Sequence, residues 1–160
     1  MQGTTSNRIY GSTSTTQFAR DTVLASRVQD LDVPARIHVL IVDDNSVFLK
    51  RLDALVTSLS GFEVAGLASS CNEAILLLQA RKVDLLLTDL AMPGLGGLEL
   101  TQHVRSSHLV THVVIVSGHD DPEYRSTALK AGADAFLAKK DLYNQLGPVL
   151  SQLFAERFTK

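Results

Sequence analysis

The sequence predicts an α/β fold, a doubly wound parallel sheet of five strands alternating with five helices. Two observations lead there. From Arg36 onward, short β-branched apolar runs alternate with stretches whose apolar residues recur at helical spacing. The runs are nearly continuous in apolar residues, as expected of a sheet covered on both faces. Each right-handed crossover then lays a helix on one face of that sheet.

The elements follow in order. Ile37 to Val42 reads as a buried first strand, and Phe48, Leu52, Leu55, Val56 and Leu59 as the inner face of the first helix, which Gly61 ends. Phe62 to Leu67 is the second strand and Asn72 to Ala80 the second helix. Val83 to Thr88 is the third strand, running into Asp89, and Pro93, Gly94, Gly96 and Gly97 form a loop before a third helix around Leu98 and Val104. Val113 to Val116 is the fourth strand. Pro122 opens the fourth helix, where proline is tolerated in the first turn, and Gly132 closes it. Ala135 to Ala138 is the fifth strand. The last helix runs to about Phe158, with Leu142, Leu146, Val149, Leu150 and Leu153 inward and an irregular early turn expected at Gly147 and Pro148.

Residues 1–35 are of another kind. Their Ser and Thr content and scarcity of large apolar groups predict a flexible N-terminal extension. Leu24, Val28 and Leu31 fit one face of a short helix over 17–31, which would suit docking to a partner. The folded domain is expected over 36–158. In the whole chain, 15 basic and 17 acidic residues give a formal charge of -2, which favours neither nucleic acid nor membrane as a partner. A single cysteine, Cys71, excludes an intrachain disulfide, and no apolar run approaches a membrane span. A cytoplasmic protein is the expectation.

In an open α/β sheet, ligands sit beyond the carboxyl ends of the strands. Strand one ends in Asp43 and Asp44, strand three in Asp89, strand four in Ser117 and strand five in Lys139, followed by Lys140. If those strands are neighbours, three carboxylates, a hydroxyl and an ammonium meet at one edge. Crowded carboxylates either retain protons or hold a cation, and hard oxygen ligands suit Mg²⁺. A carboxylate beside such an ion can attack phosphorus. Singly these residues have ordinary readings: Asp44 or Asn45 can cap the first helix, Ser117 can be a loop hydroxyl and Lys139 a solvated charge. Their combination at the right strand ends is the specific signal.

On those residues the sequence resembles the receiver domain of two-component response regulators. The matching stretches are LIVDDN with its acidic pair, LLLTDLAMPGLGG with Asp89, VVIVSG with Ser117 and GADAFLAKKD with Lys139, within residues 36–158. The resemblance implies a flavodoxin-like (βα)5 sheet of strand order 2-1-3-4-5. It implies that Asp89 accepts a phosphoryl group from a histidine kinase or histidine phosphotransfer protein, and that Asp44, Asp89 and the backbone carbonyl of Ala91 bind Mg²⁺, with Asp43 acting mainly through water. Lys139 and Ser117 would meet the phosphoryl group. Phe136 stands where the family places its switch aromatic, a ring expected to swing inward and reshape a surface that binds a downstream protein. Departures are Lys140 where many relatives have proline, so that a cis peptide after Lys139 stays open, and Gly96 where an acidic residue is usual.

The chain carries no helix-turn-helix after the last helix, so a stand-alone regulator and the receiver piece of a DNA-binding regulator are both compatible. A receiver-like interaction module that works without phosphorylation is the alternative. An Asp-nucleophile phosphohydrolase would want an Asp-x-Asp pair, which Asp43-Asp44 is not. No Gly-rich dinucleotide loop or P-loop is present. His38, His103, His108, His112 and His119 lack metal-ligand spacing. No catalytic activity is expected beyond Mg²⁺-dependent self-phosphorylation and self-dephosphorylation.

Overall fold

The computed structural model describes residues 35–159. Five parallel strands, β1 (Ile37–Val42), β2 (Phe62–Ala68), β3 (Leu85–Asp89), β4 (His112–Ser117) and β5 (Ala135–Ala138), form one sheet in the order β2-β1-β3-β4-β5. The flavodoxin-like order expected from the resemblance is the one observed. Between the strands run α1 (Ser46–Ser58), α2 (Cys71–Ala80), α3 (Gly97–Ser106) and α4 (Pro122–Lys130). After β5 come a 3₁₀ turn (Lys139–Asp141), α5 (Leu142–Leu153) and a final turn, α6 (Ala155–Phe158). The expectations for residues 1–34, including the helix over 17–31, lie outside the described residues.

The alternation of side chains along each strand divides the core into two layers. Leu40, Val42, Leu86, Val113, Ile115 and Phe136 point to the side covered by α2, α3 and α4. Ile37, Val39, Ile41, Leu85, Leu87, Val114, Val116 and Leu137 point to the side covered by α1 and α5. Each such aliphatic group removed from water contributes about 1.5–3 kcal/mol, and the central strand β3 is buried along its whole length.

Local chemistry sets the junctions. Asn45, rather than Asp44, caps α1: its side chain accepts from the backbone N–H groups of Val47 and Phe48, both at 3.0 Å. Gly61, with φ of +87°, turns the chain from α1 into β2.

One local expectation is corrected, and one open point is decided. The irregularity expected at Gly147 and Pro148 is absent: α5 runs through Pro148 and breaks at Phe154. Pro148 and Asn144, whose carbonyl loses its helical donor to the proline, are both exposed, so water can satisfy that carbonyl. The peptide after Lys139 is trans, and no cis peptide occurs among the described residues.

Candidate functional site

Strand register builds the site. Val42 pairs with Thr88, Asp89 with Val116, and Ser117 with Ala138. The residues just past these pairs therefore gather at the carboxyl edge of four adjacent strands. The three aspartates expected there do converge: Asp43, Asp44 and Asp89 each offer a carboxylate oxygen, and these oxygens lie within 4.8 Å of one another. Asp43 and Asp89 are buried and Asp44 is exposed, which leaves the cluster open to solvent on one side.

Lys139 reaches the same point. Its Nζ lies 2.6 Å from Asp43 Oδ2 and 3.0 Å from Asp89 Oδ1. It also stands 4.2 Å from the centre of the Phe48 ring, a cation–π contact that helps to hold the ammonium over the carboxylates. Lys140 turns away and pairs with Asp120 at 3.2 Å. Of the two lysines, only Lys139 enters the cluster.

The electrostatics follow from burial and crowding. Burial pushes the Asp89 carboxyl above the ordinary carboxylate range; the Lys139 hydrogen bond and charge oppose this, while Asp43 and Asp44 add to it. For Lys139, burial works to lower the ammonium, but hydrogen bonds and charge from Asp43 and Asp89 outweigh it and leave the group raised. The lysine is therefore a fixed positive charge. Asp43 Oδ1 accepts the Asn45 N–H at 2.8 Å, which orients that carboxylate.

Ser117 is buried at the end of β4, and its Oγ accepts the His119 N–H at 3.0 Å. The hydroxyl proton is still free to be donated. Ala91, two residues beyond Asp89, is exposed at the start of the loop into α3. The loop itself is held by Gly97, whose N–H bonds to the Leu90 carbonyl at 3.0 Å. It is held also by Cys71, whose thiol donates to the Leu95 carbonyl at 2.9 Å. Phe136 is 3% exposed, with its ring already inward in the α4-side layer, so the inward swing expected of it has no exposed ring to start from in this structure. Sequence reasoning missed Arg125, which donates to the Phe136 carbonyl at 3.0 Å from α4. An exposed arginine on a helix carries no sequence signal for such a contact.

An acidic cluster, a half-buried lysine and a buried hydroxyl at the strand ends of a 2-1-3-4-5 sheet match one family. The response regulator receiver domain family matches residues 39–146. The chain belongs to that family. Response regulator GacA of Pseudomonas protegens is 32% identical over 119 residues, covering 74% of this chain and 56% of GacA. Response regulator UvrY of Escherichia coli O6:H1 is 31% identical over 103 residues, 64% of this chain and 47% of UvrY. The chain thus spans about half the length of these relatives. Among solved structures, the signal receiver domain of NarL from Mycobacterium tuberculosis superposes with a TM-score of 0.69 at 28% identity, over 74% of this chain and 96% of that one. The Francisella response regulator 1452 receiver domain gives 0.68 at 26% identity, over 76% and 98%. This receiver domain belongs to two-component signalling. Among its described residues, no helix is long and apolar enough to cross a membrane.

Proposed function

We propose that residues 36–158 act in the cytoplasm as a phosphorylation switch in which Asp89 takes a phosphoryl group from a phosphohistidine of a kinase or phosphotransfer protein. The observation that carries this reading is the placing of Lys139 Nζ 3.0 Å from Asp89 Oδ1 inside a cluster of three carboxylates. An Asp89 oxygen forms the new bond to phosphorus and the phosphorus–nitrogen bond of the donor breaks. The bonding pair leaves with the imidazole, which takes up a proton.

The donor set fits Mg²⁺, because three hard carboxylates converge with one side open. Asp43, Asp44, Asp89 and the Ala91 carbonyl are the residues that would hold it. Bound there, the ion would neutralise charge on the phosphoryl oxygens. The residues of the chain supply the remainder. Lys139 meets the charge of the transferred group, Ser117 donates to one of its oxygens, and Asp43 keeps Lys139 in place.

A phosphoryl group adds about 1.5 to 2 negative charges and strong acceptor oxygens. Its differential contacts with Ser117 and Lys139 shift the balance between two conformations, and the surface of α4, β5 and α5 presents that change to a downstream protein. The test is intact mass after incubation with Mg²⁺ and a small phosphodonor such as acetyl phosphate. The wild-type chain is expected to gain one phosphoryl mass and Asp89→Asn none. Equal gain in both would overturn the assignment.

A further inference from the structure

Helix α4 has little apolar grip on the sheet. Its one buried residue is Ala128, while Tyr124 and Leu129 are largely exposed. What ties its first turns to β5 is polar. Arg125 Nη1 donates to the Phe136 carbonyl at 3.0 Å, on the edge of β5 that no strand covers. The same guanidinium lies 5.0 Å from the centre of the Phe136 ring. Its Nη2 reaches Asp120 Oδ1 at 3.3 Å, and Asp120 Oδ2 in turn pairs with Lys140 at 3.2 Å. The chain Phe136–Arg125–Asp120–Lys140 closes over the end of β5.

We infer that Arg125 is a positioning residue, a clasp that keeps the Phe136 ring inward and couples the loop after β4 to β5. One planar fork engages a carbonyl, a carboxylate and a ring face together, which a lysine cannot reproduce. Exposed ion pairs are weak singly. Here, however, the helix has no large buried side chain to hold it by other means. The regulatory part rests on the proposed role of Asp89. Asp120 follows Ser117 by three residues and Lys140 adjoins Lys139, so both ends of the clasp are chained to groups that would meet the phosphoryl oxygens. Movement of either group pulls on the clasp, and the strength of the clasp sets how readily Phe136 and the α4–β5 surface change.

The test uses the full chain labelled with 4-fluorophenylalanine, the Phe136 resonance being assigned with Phe136→Leu. A soluble paramagnetic agent reports ring exposure without any phosphodonor. Wild-type Phe136 should be protected. Arg125→Gln should raise its relaxation enhancement several-fold, Arg125→Lys less, and Asp120→Asn to an intermediate level, with the other phenylalanines unmoved. Wild-type protection of Phe136 in a folded Arg125→Gln protein would overturn the clasp. If that variant fails to fold, wild-type protection in Asp120→Asn overturns it instead. Phosphoryl uptake is read by intact mass on the same samples and should reach wild-type extent in every Arg125 variant. Loss of uptake in Arg125→Gln alone would overturn a purely positioning role. Absence of uptake in the wild type would overturn the Asp89 reading, while the ring measurement still decides the clasp.

Discussion

Gly97 lies against the backbone of Asp89 so closely that a Cβ on Gly97 would stand 2.0 Å from the Asp89 carbonyl oxygen. The first residue of α3 is thereby packed on the residue that carries the proposed chemistry. Gly97→Ala must push the two backbones apart, and overpacking of this kind costs about 1–3 kcal/mol. Urea denaturation should show that loss together with weaker phosphoryl uptake. Unchanged stability would mean that the loop between β3 and α3 yields more easily than the contact implies.

At the opposite pole of the sheet, Asp84 is buried against two partners, His38 and Arg157. Its Oδ2 accepts the His38 N–H at 2.9 Å and lies 3.1 Å from His38 Nδ1, and its Oδ1 accepts Arg157 Nη2 at 3.1 Å. Burial alone would raise this carboxyl, but the His38 hydrogen bonds and the Arg157 and Lys82 charges outweigh it, so Asp84 stays below the ordinary range. A depressed carboxyl contributes stability above its unfolded value, and loses it as pH falls through the folded value. Asp84→Ala should cost about 1–3 kcal/mol at neutral pH through lost charge-assisted hydrogen bonds. It should also flatten the acid limb of stability against pH. An unchanged acid limb would assign acid unfolding to other groups.

Asp89 has the opposite sign. Its raised carboxyl makes ionisation unfavourable in the folded state, so stability falls as pH rises from the unfolded value to the folded one. Without metal, Asp89→Asn should therefore raise the melting temperature at neutral pH. A clear fall would show that the Lys139 contact outweighs burial and carboxylate repulsion together.

Burial also pushes the Cys71 thiol up, with the Glu99 charge adding to the effect. The thiol is sequestered by the carbonyls of the loop after β3. Reaction with Ellman's reagent should be slow in the native protein and complete in denaturant. Rapid native labelling would mean that this loop opens readily.

Ser117→Ala should still accept the phosphoryl group while switching poorly, because in the proposed switch the hydroxyl would supply a differential contact and Asp89 the bond. NMR of α4 and β5, with and without a phosphoryl mimic, is the check. A full wild-type response at Phe136 in Ser117→Ala would rule out that route.

The strand ends were legible because apolar runs stop where Asp43, Asp89, Ser117 and Lys139 begin, and parallel crossovers leave few arrangements for them. What could not be read depends on contacts between distant residues. His38 and Asp84, or Asp84 and Arg157, carry no local pattern that pairs them. The same holds for Asp134, which receives Arg105 from α3. Pro148 misled because a helix tolerates proline where the freed carbonyl meets water, and exposure is a tertiary property. Asn45 won the cap over Asp44 by backbone geometry that composition leaves open.

The most direct measurement is the location of the acyl phosphate. Reducing the phosphorylated chain with borohydride converts an aspartyl phosphate to homoserine, which peptide mass spectrometry places by residue. Homoserine is expected at position 89, in proportion to phosphoryl uptake, and none when Mg²⁺ is chelated before the donor is added. Homoserine at Asp43 or Asp44, or a stable phosphoester on Ser117 with Asp89 unmodified, would contradict it.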